Sequence, residues 1–231
     1  MREAKAVKKL KVVVCFGLCL GIGLLWCPSA HAAGAVKFYI GGEGVYSFSS
    51  LTSGGYNAAG DFTNIGSDAN NAFRGGGHLG LQFSGVVRLD FGYHYRGGLH
   101  YTTDSYVDVW DHYYYLTDFD ANILMGSIYV SPFPDYAFSP YIGAGVGAAM
   151  IKMATDDFVV AGDISETKLA WQLEAGLQVN LSDNFVVHIG YRYLNMGTAN
   201  LRLFDEWAFD SGNFTGAVTA HEVAGGLRIL F

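Results

Sequence analysis

Apolar and polar residues alternate with a period of two through most of the chain after residue 33. Eight stretches carry the pattern: 36–48, 72–84, 86–97, 118–131, 140–152, 167–181, 184–196 and 217–231. Successive side chains of a strand point to opposite faces, so this period predicts strands with one apolar face. In LAWQLEAGLQVNL, Leu169, Trp171, Leu173, Ala175, Leu177, Val179 and Leu181 share one face, and Ala170, Gln172, Glu174, Gly176, Gln178 and Asn180 share the other. No helical period of useful length competes with it.

Taking every second residue over Val36–Phe48, Phe73–Phe83, Val87–Tyr95, Phe119–Tyr129, Ile142–Met150, Leu169–Leu181, Phe185–Tyr193 and His221–Phe231 gives eight faces without Asp, Glu, Lys or Arg. The opposite faces hold Lys37, Glu43, Arg74, Arg88, Asp90, Arg96, Asp118, Asp120, Glu174, Arg192, Glu222 and Arg228, six of each sign. A soluble sandwich would bury the first set and expose the second. It fits poorly with Tyr93, Tyr95, Tyr191 and Tyr193 near strand ends, where a membrane interface favours aromatics. The links also alternate: FSGV, SPFPDYAFSP and LSDNF are short, whereas the intervening ones run to roughly 15–23 residues. Short inner turns and long outer loops belong to transmembrane barrels. Lipid supplies no hydrogen-bond partner, so the last strand must close on the first. The expected fold is all-β: an eight-stranded antiparallel up-and-down transmembrane β-barrel over residues 33–231, with periplasmic termini and four long extracellular loops.

The first 32 residues differ. A basic MREAKAVKKLK, an uncharged VVVCFGLCLGIGLLW and a PSAHA with small residues at Ala30 and Ala32 form the order of a cleavable signal peptide, 1–32. The apolar run is short of the about 20 residues a spanning helix needs. Cys15, Cys19 and Cys27 all precede that cut. The mature chain would then have no disulfide and no thiolate metal site. Removing the segment leaves nine Lys and Arg against twenty Asp and Glu, a net charge of −11. So acidic a chain is a poor partner for nucleic acid. A signal followed by a barrel points to the bacterial outer membrane, among its lipid and lipopolysaccharide.

VKFYIGGEGVYSF, PYIGAGVGAA, HIGYRYLNMG and the closing LRILF resemble opacity-type surface proteins and their OmpA-like eight-stranded relatives. The resemblance covers essentially the whole mature chain. It implies that the C-terminal aromatic, here Phe231, is an assembly signal read by the outer-membrane barrel-assembly machinery.

An eight-stranded lumen is filled by side chains, and inward glycines such as Gly41, Gly80, Gly143 and Gly190 make room for long arginines. The expected lumen ion network comprises Lys37, Glu43, Arg74, His78, Arg88, Asp90, Arg96, Asp120, Glu174, Arg192, Glu222 and Arg228. Glu43 is expected near Glu222 and His78, with a cation between the acids. His78, His94 and His188 face the lumen from separate strands without metal-ligand spacing, and no cofactor is expected. His221, with Asp210 and Ser211 before it, has no distinctive catalytic spacing, so no catalytic residue is assigned. The outer loops are acidic and interleaved with aromatics; Trp110, Tyr113, Tyr114, Tyr115 and Trp207 are candidates for recognition. These features predict a non-enzymatic surface protein that supports the envelope or adheres to a host or envelope partner. The alternatives are a narrow porin-like channel for small solutes and, third, a lipid A-modifying enzyme.

Overall fold

In the computed structural model, residues 36–57, 60–63, 70–108, 111–134, 136–156, 160–205 and 210–231 are described. They form β1 (Val36–Asn57), a short β2 (Gly60–Thr63), β3 (Asn70–Phe83), β4 (Val87–Asp108), β5 (Asp111–Val130), β6 (Phe138–Asp156), β7 (Val160–Asn180), β8 (Phe185–Asp205) and β9 (Asp210–Leu230). Every neighbouring pair is antiparallel, β2 folds back on the tip of β1, and β1 also pairs with β9. The other eight strands therefore form a closed ring. Phe231 N–H donates to the Phe38 carbonyl at 2.8 Å, so the last residue completes the seam with β1. Residues 1–32, the expected signal peptide with the three cysteines, lie outside the described residues.

Outward residues form an apolar band between two aromatic girdles. Phe38 and Phe231 (ring centroids 6.1 Å apart), Phe138 and Phe185 mark the end near the tight turns. Tyr46, Phe73, Tyr93, Tyr95, Trp171 and Tyr191 mark the other, all exposed. The upper girdle is tied together laterally: Tyr93 Oη donates to Asn122 Oδ1 at 2.6 Å, and Trp171 packs on Tyr193. Interfacial aromatics of this kind hold a barrel at a fixed depth.

The expected long links are largely strand. Crossing the bilayer takes about 9–11 residues per strand, whereas β1 and β4 have 22 and β7, β8 and β9 have 21. The excess lies beyond the upper girdle. There two glycine bulges shift the side-chain phase. Gly98 (φ 67°) and Gly197 (φ 86°) sit between Arg96 and Leu99 in β4 and between Asn195 and Thr198 in β8. An extra residue with positive φ re-aims the strand. The inward positions change from His94 and Arg96 to Leu99 and Tyr101, and from Arg192 and Leu194 to Ala199 and Leu201.

Above this level the ladder is interrupted on two opposite sides. β3 and β4 pair only as far as Gly76↔His94, and β7 and β8 lose register between Trp171↔Asn195 and Ala161↔Phe204. Continuous ladders then run through β4–β5–β6–β7 and through β8–β9–β1–β3. Between them lies an apolar core that includes Leu51, Leu99, Tyr101, Phe119, Ile123, Met153, Leu201 and Phe214. The two walls touch across it: a Cβ on Gly216 of β9 would stand 3.2 Å from Met153 Sδ of β6. The protruding half is thus packed face to face like a sandwich.

Candidate functional site

Below that core, the lumen is polar and tightly filled. Arg192 of β8 lies in register between Glu174 of β7 and Glu222 of β9. Its Nε donates to Glu174 Oε2 at 2.9 Å, and its Nη1 and Nη2 donate to Glu43 Oε1 and Oε2 at 2.7 and 2.8 Å. Glu222 Oε2 is 3.6 Å from the same Nη1 and is itself held by a fork from Arg96, at 2.8 and 3.0 Å. The cation between the acids is therefore Arg192, with three carboxylates around it. His94 Nδ1 stands 3.2 Å and His188 Nε2 3.9 Å from Glu43. Charge-assisted forks of this kind fix geometry more firmly than neutral bonds.

Tyrosines complete the shell. Tyr129 Oη and Tyr141 Oη donate to Glu174 at 3.1 and 2.7 Å, and Gln172 Nε2 donates to Tyr129 Oη and Ser127 Oγ. Each ring lies over a neighbouring glycine. A Cβ on Gly143 would run into the Tyr129 ring, and one on Gly176 would stand 2.7 Å from Tyr141 Oη. The inward glycines thus make room for tyrosines and histidines as well as for arginine stems. Tyr39, Tyr129 and Tyr141 are not part of the expected network; Tyr39 and Tyr141 have the inward phase opposite Gly80 and Gly176, which is a readable signal, whereas Tyr129 lies on the β5 face that alternation assigns outward. The space left among Glu43, His94, Glu174, His188 and Arg192 is about 10 Å³, close to the minimum for one water.

Two expected members lie elsewhere. Asp120 does not enter the lumen: it lies on the outer side of β5, where its Oδ1 accepts from Gly98 N–H at 2.7 Å. Asp118 is likewise outward and pairs with His100. The whole of β5 is turned over relative to expectation, because Phe119, Ala121, Ile123, Met125 and Tyr129 are buried and Leu116, Gly126, Ile128 and Val130 are exposed. The reason is physical. A charge-free face marks lipid in the other strands, but in β5 the inward face is apolar because it builds the core, and Asp118 stands beyond the girdle in water. Lys37 has the inward phase but sits at the periplasmic rim, donating to the Asp183 carbonyl at 2.8 Å.

The other members are buried or nearly so. Arg74 donates from Nε to the Gly97 carbonyl at 3.2 Å, where the β3–β4 ladder ends. Arg88 lies 3.8 Å from Asp90, and Arg228 donates to Gln178. His78 packs edge-on against Tyr39. Outside, His221 Nδ1 hydrogen-bonds Tyr191 Oη and its ring packs on Tyr193, which places it in the girdle. Trp110 and Trp207 lie outside the described residues. Tyr113, Tyr114 and Tyr115 fall on β5 opposite Ser105, Asp104 and Thr103, and their side chains are likewise outside that description.

The outer face of the protruding half carries a groove of about 560 Å³, lined by Leu116, Asp118, Ala154, Asp156, Ala161, Asp163 and Phe204 among others. The ladder explains the grouping: Asp118 and Asp163 both pair with Ala154, and Leu116 and Ala161 both pair with Asp156.

An antiparallel ring with an apolar outer band, two aromatic girdles and a filled polar lumen defines a transmembrane β-barrel. The chain belongs to the outer membrane protein beta-barrel domain family, whose model matches residues 18–223, and so to the bacterial outer membrane. The outer membrane protein PagN of Salmonella typhimurium (strain LT2) is 34% identical over 71 residues, which cover 28% of this chain and 30% of PagN. An uncharacterized protein of Brucella suis biovar 1 (strain 1330) is 27% identical over 202 residues, 73% of this chain and 71% of that protein. Among solved structures, the outer membrane protein OprG of Pseudomonas aeruginosa superposes with a TM-score of 0.61 at 13% identity, over 86% of this chain and 97% of OprG. That likeness is one of fold.

Proposed function

We propose that the protein is a non-enzymatic surface protein that recognises a host or envelope partner with the protruding half of its barrel. The observation that carries this reading is the exposed groove in which Asp118, Asp156 and Asp163 stand beside Leu116 and Phe204. Apolar area supplies affinity by burial, and carboxylates select a cationic or divalent-bridged surface. In sequence, the acidic aromatic segments with Trp110 and Trp207 adjoin the strands that line the groove. The filled lumen argues against the porin-like alternative, since an apolar core lies across the outer half and a salt-bridge network across the inner half. His221, the residue considered for the lipid-modifying reading, is held in the girdle by Tyr191 and Tyr193, which does not favour that reading. The test compares host-cell and matrix binding by bacteria expressing the protein, a Trp110→Ser/Trp207→Ser variant, or none. Binding that depends on the protein and is lost in the variant, with the barrel still folded, supports recognition. Equal binding by all three removes it and leaves envelope support.

A further inference from the structure

Among the described residues, the buried charges of the lumen do not balance. Arg74, Arg88, Arg96, Arg192 and Arg228 face Glu43, Asp90, Glu174 and Glu222, five cations against four acids. Arg96 and Arg192 pair with Glu43, Glu174 and Glu222, whereas Arg74 donates to the Gly97 carbonyl. At the periplasmic end Arg88 and Arg228 stand beside a single acid, Asp90.

These two guanidinium groups converge on a single neutral oxygen. Arg228 Nη2 donates to Gln178 Oε1 at 2.5 Å, and Arg88 Nη1 approaches the same atom at 3.5 Å. Arg88 and Arg228 are 7% and 1% exposed. Asp90 is 3.8 Å from Arg88 Nε, beyond hydrogen-bond length. Arg88 Nε, Arg228 Nε and Arg228 Nη1 are buried and without a hydrogen-bond partner, as is the hydroxyl of Ser139, the cross-strand neighbour of Gln178. Aromatic faces wall the cations: Arg88 lies 4.1 Å from the Tyr129 ring centre and Arg228 5.7 Å from that of Tyr39. Tyr39, Val186 and Leu230 form a buried apolar cluster.

Two adjacent buried cations with unused N–H donors are unfavourable unless an acceptor of negative charge joins them. We infer that Arg88 and Arg228, with Ser139, form an internal binding site for one small monatomic anion, a halide such as chloride. A halide accepts several N–H donors without directional demand, which suits forks arriving from two strands. The site is a structural ion site that neutralises the inner end of the lumen.

Bromide is the probe. Crystals of the full barrel grown in bromide, measured at the bromine absorption edge, should show an anomalous peak within hydrogen-bond reach of Arg228 Nη1. In micelles, the unfolding temperature of the unmodified protein should rise with bromide at constant ionic strength and stay flat with sulfate. Arg228→Met should remove the halide dependence; Ser139→Ala, a milder change, should weaken it. A map with well-ordered Arg88 and Arg228 but no peak between them, or peaks only on the outer surface, overturns the inference. So does a halide dependence unchanged in Arg228→Met.

Discussion

Arg192 grips Glu43 with both terminal nitrogens, at 2.7 and 2.8 Å, although the two residues are 149 positions apart in sequence. The contact crosses the lumen from β8 to β1, beside the seam where the barrel closes. Both side chains are within a few per cent of complete burial, so neither charge can fall back on solvent. Replacing Arg192 with Met should cost about 3–5 kcal/mol, the range for stranding a buried partner, because Glu43 and Glu174 both lose their main cation. Glu43→Gln should cost less, since Arg192 keeps Glu174. Urea unfolding in micelles checks the order; a larger loss for Glu43→Gln than for Arg192→Met would contradict the assignment of Arg192 as the hub.

The Tyr129 ring occupies the space a side chain at Gly143 would need. Gly143→Val should push the ring off the wall and break its bond to Glu174. Gly176 is a less clean site, because a Cβ there would run into the Ile189 carbonyl as well as stand 2.7 Å from Tyr141 Oη. Tyr129→Phe removes the bond and keeps the ring, so it should cost about 1.5–3 kcal/mol, the range for a bond to a charged group. Gly143→Val should exceed that in the same assay; equal costs would mean that the ring's position is not what the glycine protects.

Seven of the eight strand phases are legible from alternation because their outward faces meet one solvent, lipid, along the alternating stretch. β5 is the exception. Its outward face passes from lipid at Ile128 and Gly126 to water at Asp118, while its inward face passes from the polar shell at Tyr129 to the apolar core at Phe119 and Ile123. Both solvents change along one strand, and a rule that assigns the uncharged face to lipid then selects the wrong side. The same blindness hid the protruding half, where Gly98 and Gly197 shift the phase and end the simple pattern. The arginines and glutamates were legible as inward residues, but which acid meets which base depends on register and shear across the lumen, which alternation does not encode.

Phe231 closes the ring through its N–H to the Phe38 carbonyl and packs its ring near Phe38. Deleting it should impair barrel assembly more than export. The measurement is electrophoretic mobility with and without boiling: the truncated protein should show a depleted folded band and an accumulated unfolded one. A normal folded band at normal yield would separate Phe231 from assembly.

The filled lumen predicts that the purified barrel, in planar bilayers, gives no stable single-channel steps. Phe119 is the sharper probe, because its side chain is 1% exposed within the outer core. Phe119→Ala should cost about 3–5 kcal/mol yet still leave the membrane-level salt bridges across the lumen, so it should destabilise without opening a pore. Discrete conductance in the unmodified protein would favour the porin-like alternative.

The groove on the protruding half offers the most direct reading of function. Asp118 and Asp163 flank Ala154 in one row, and Asp156 stands one row nearer the tips. If a cationic partner docks there, the carboxylates act mainly through long-range attraction, which salt screens with a Debye length of about 8 Å at physiological ionic strength. Asp118→Asn/Asp156→Asn/Asp163→Asn should therefore slow association and weaken cell binding chiefly at low salt. Phe204→Ser should weaken it at every salt concentration by removing buried apolar area. None of the four positions faces the lumen, so heat-modifiable mobility should be unchanged. Binding measured at two ionic strengths separates the terms: if the triple variant loses as much affinity at high salt as at low salt, the acids do not act by electrostatic attraction, and if neither variant alters binding, the partner docks elsewhere.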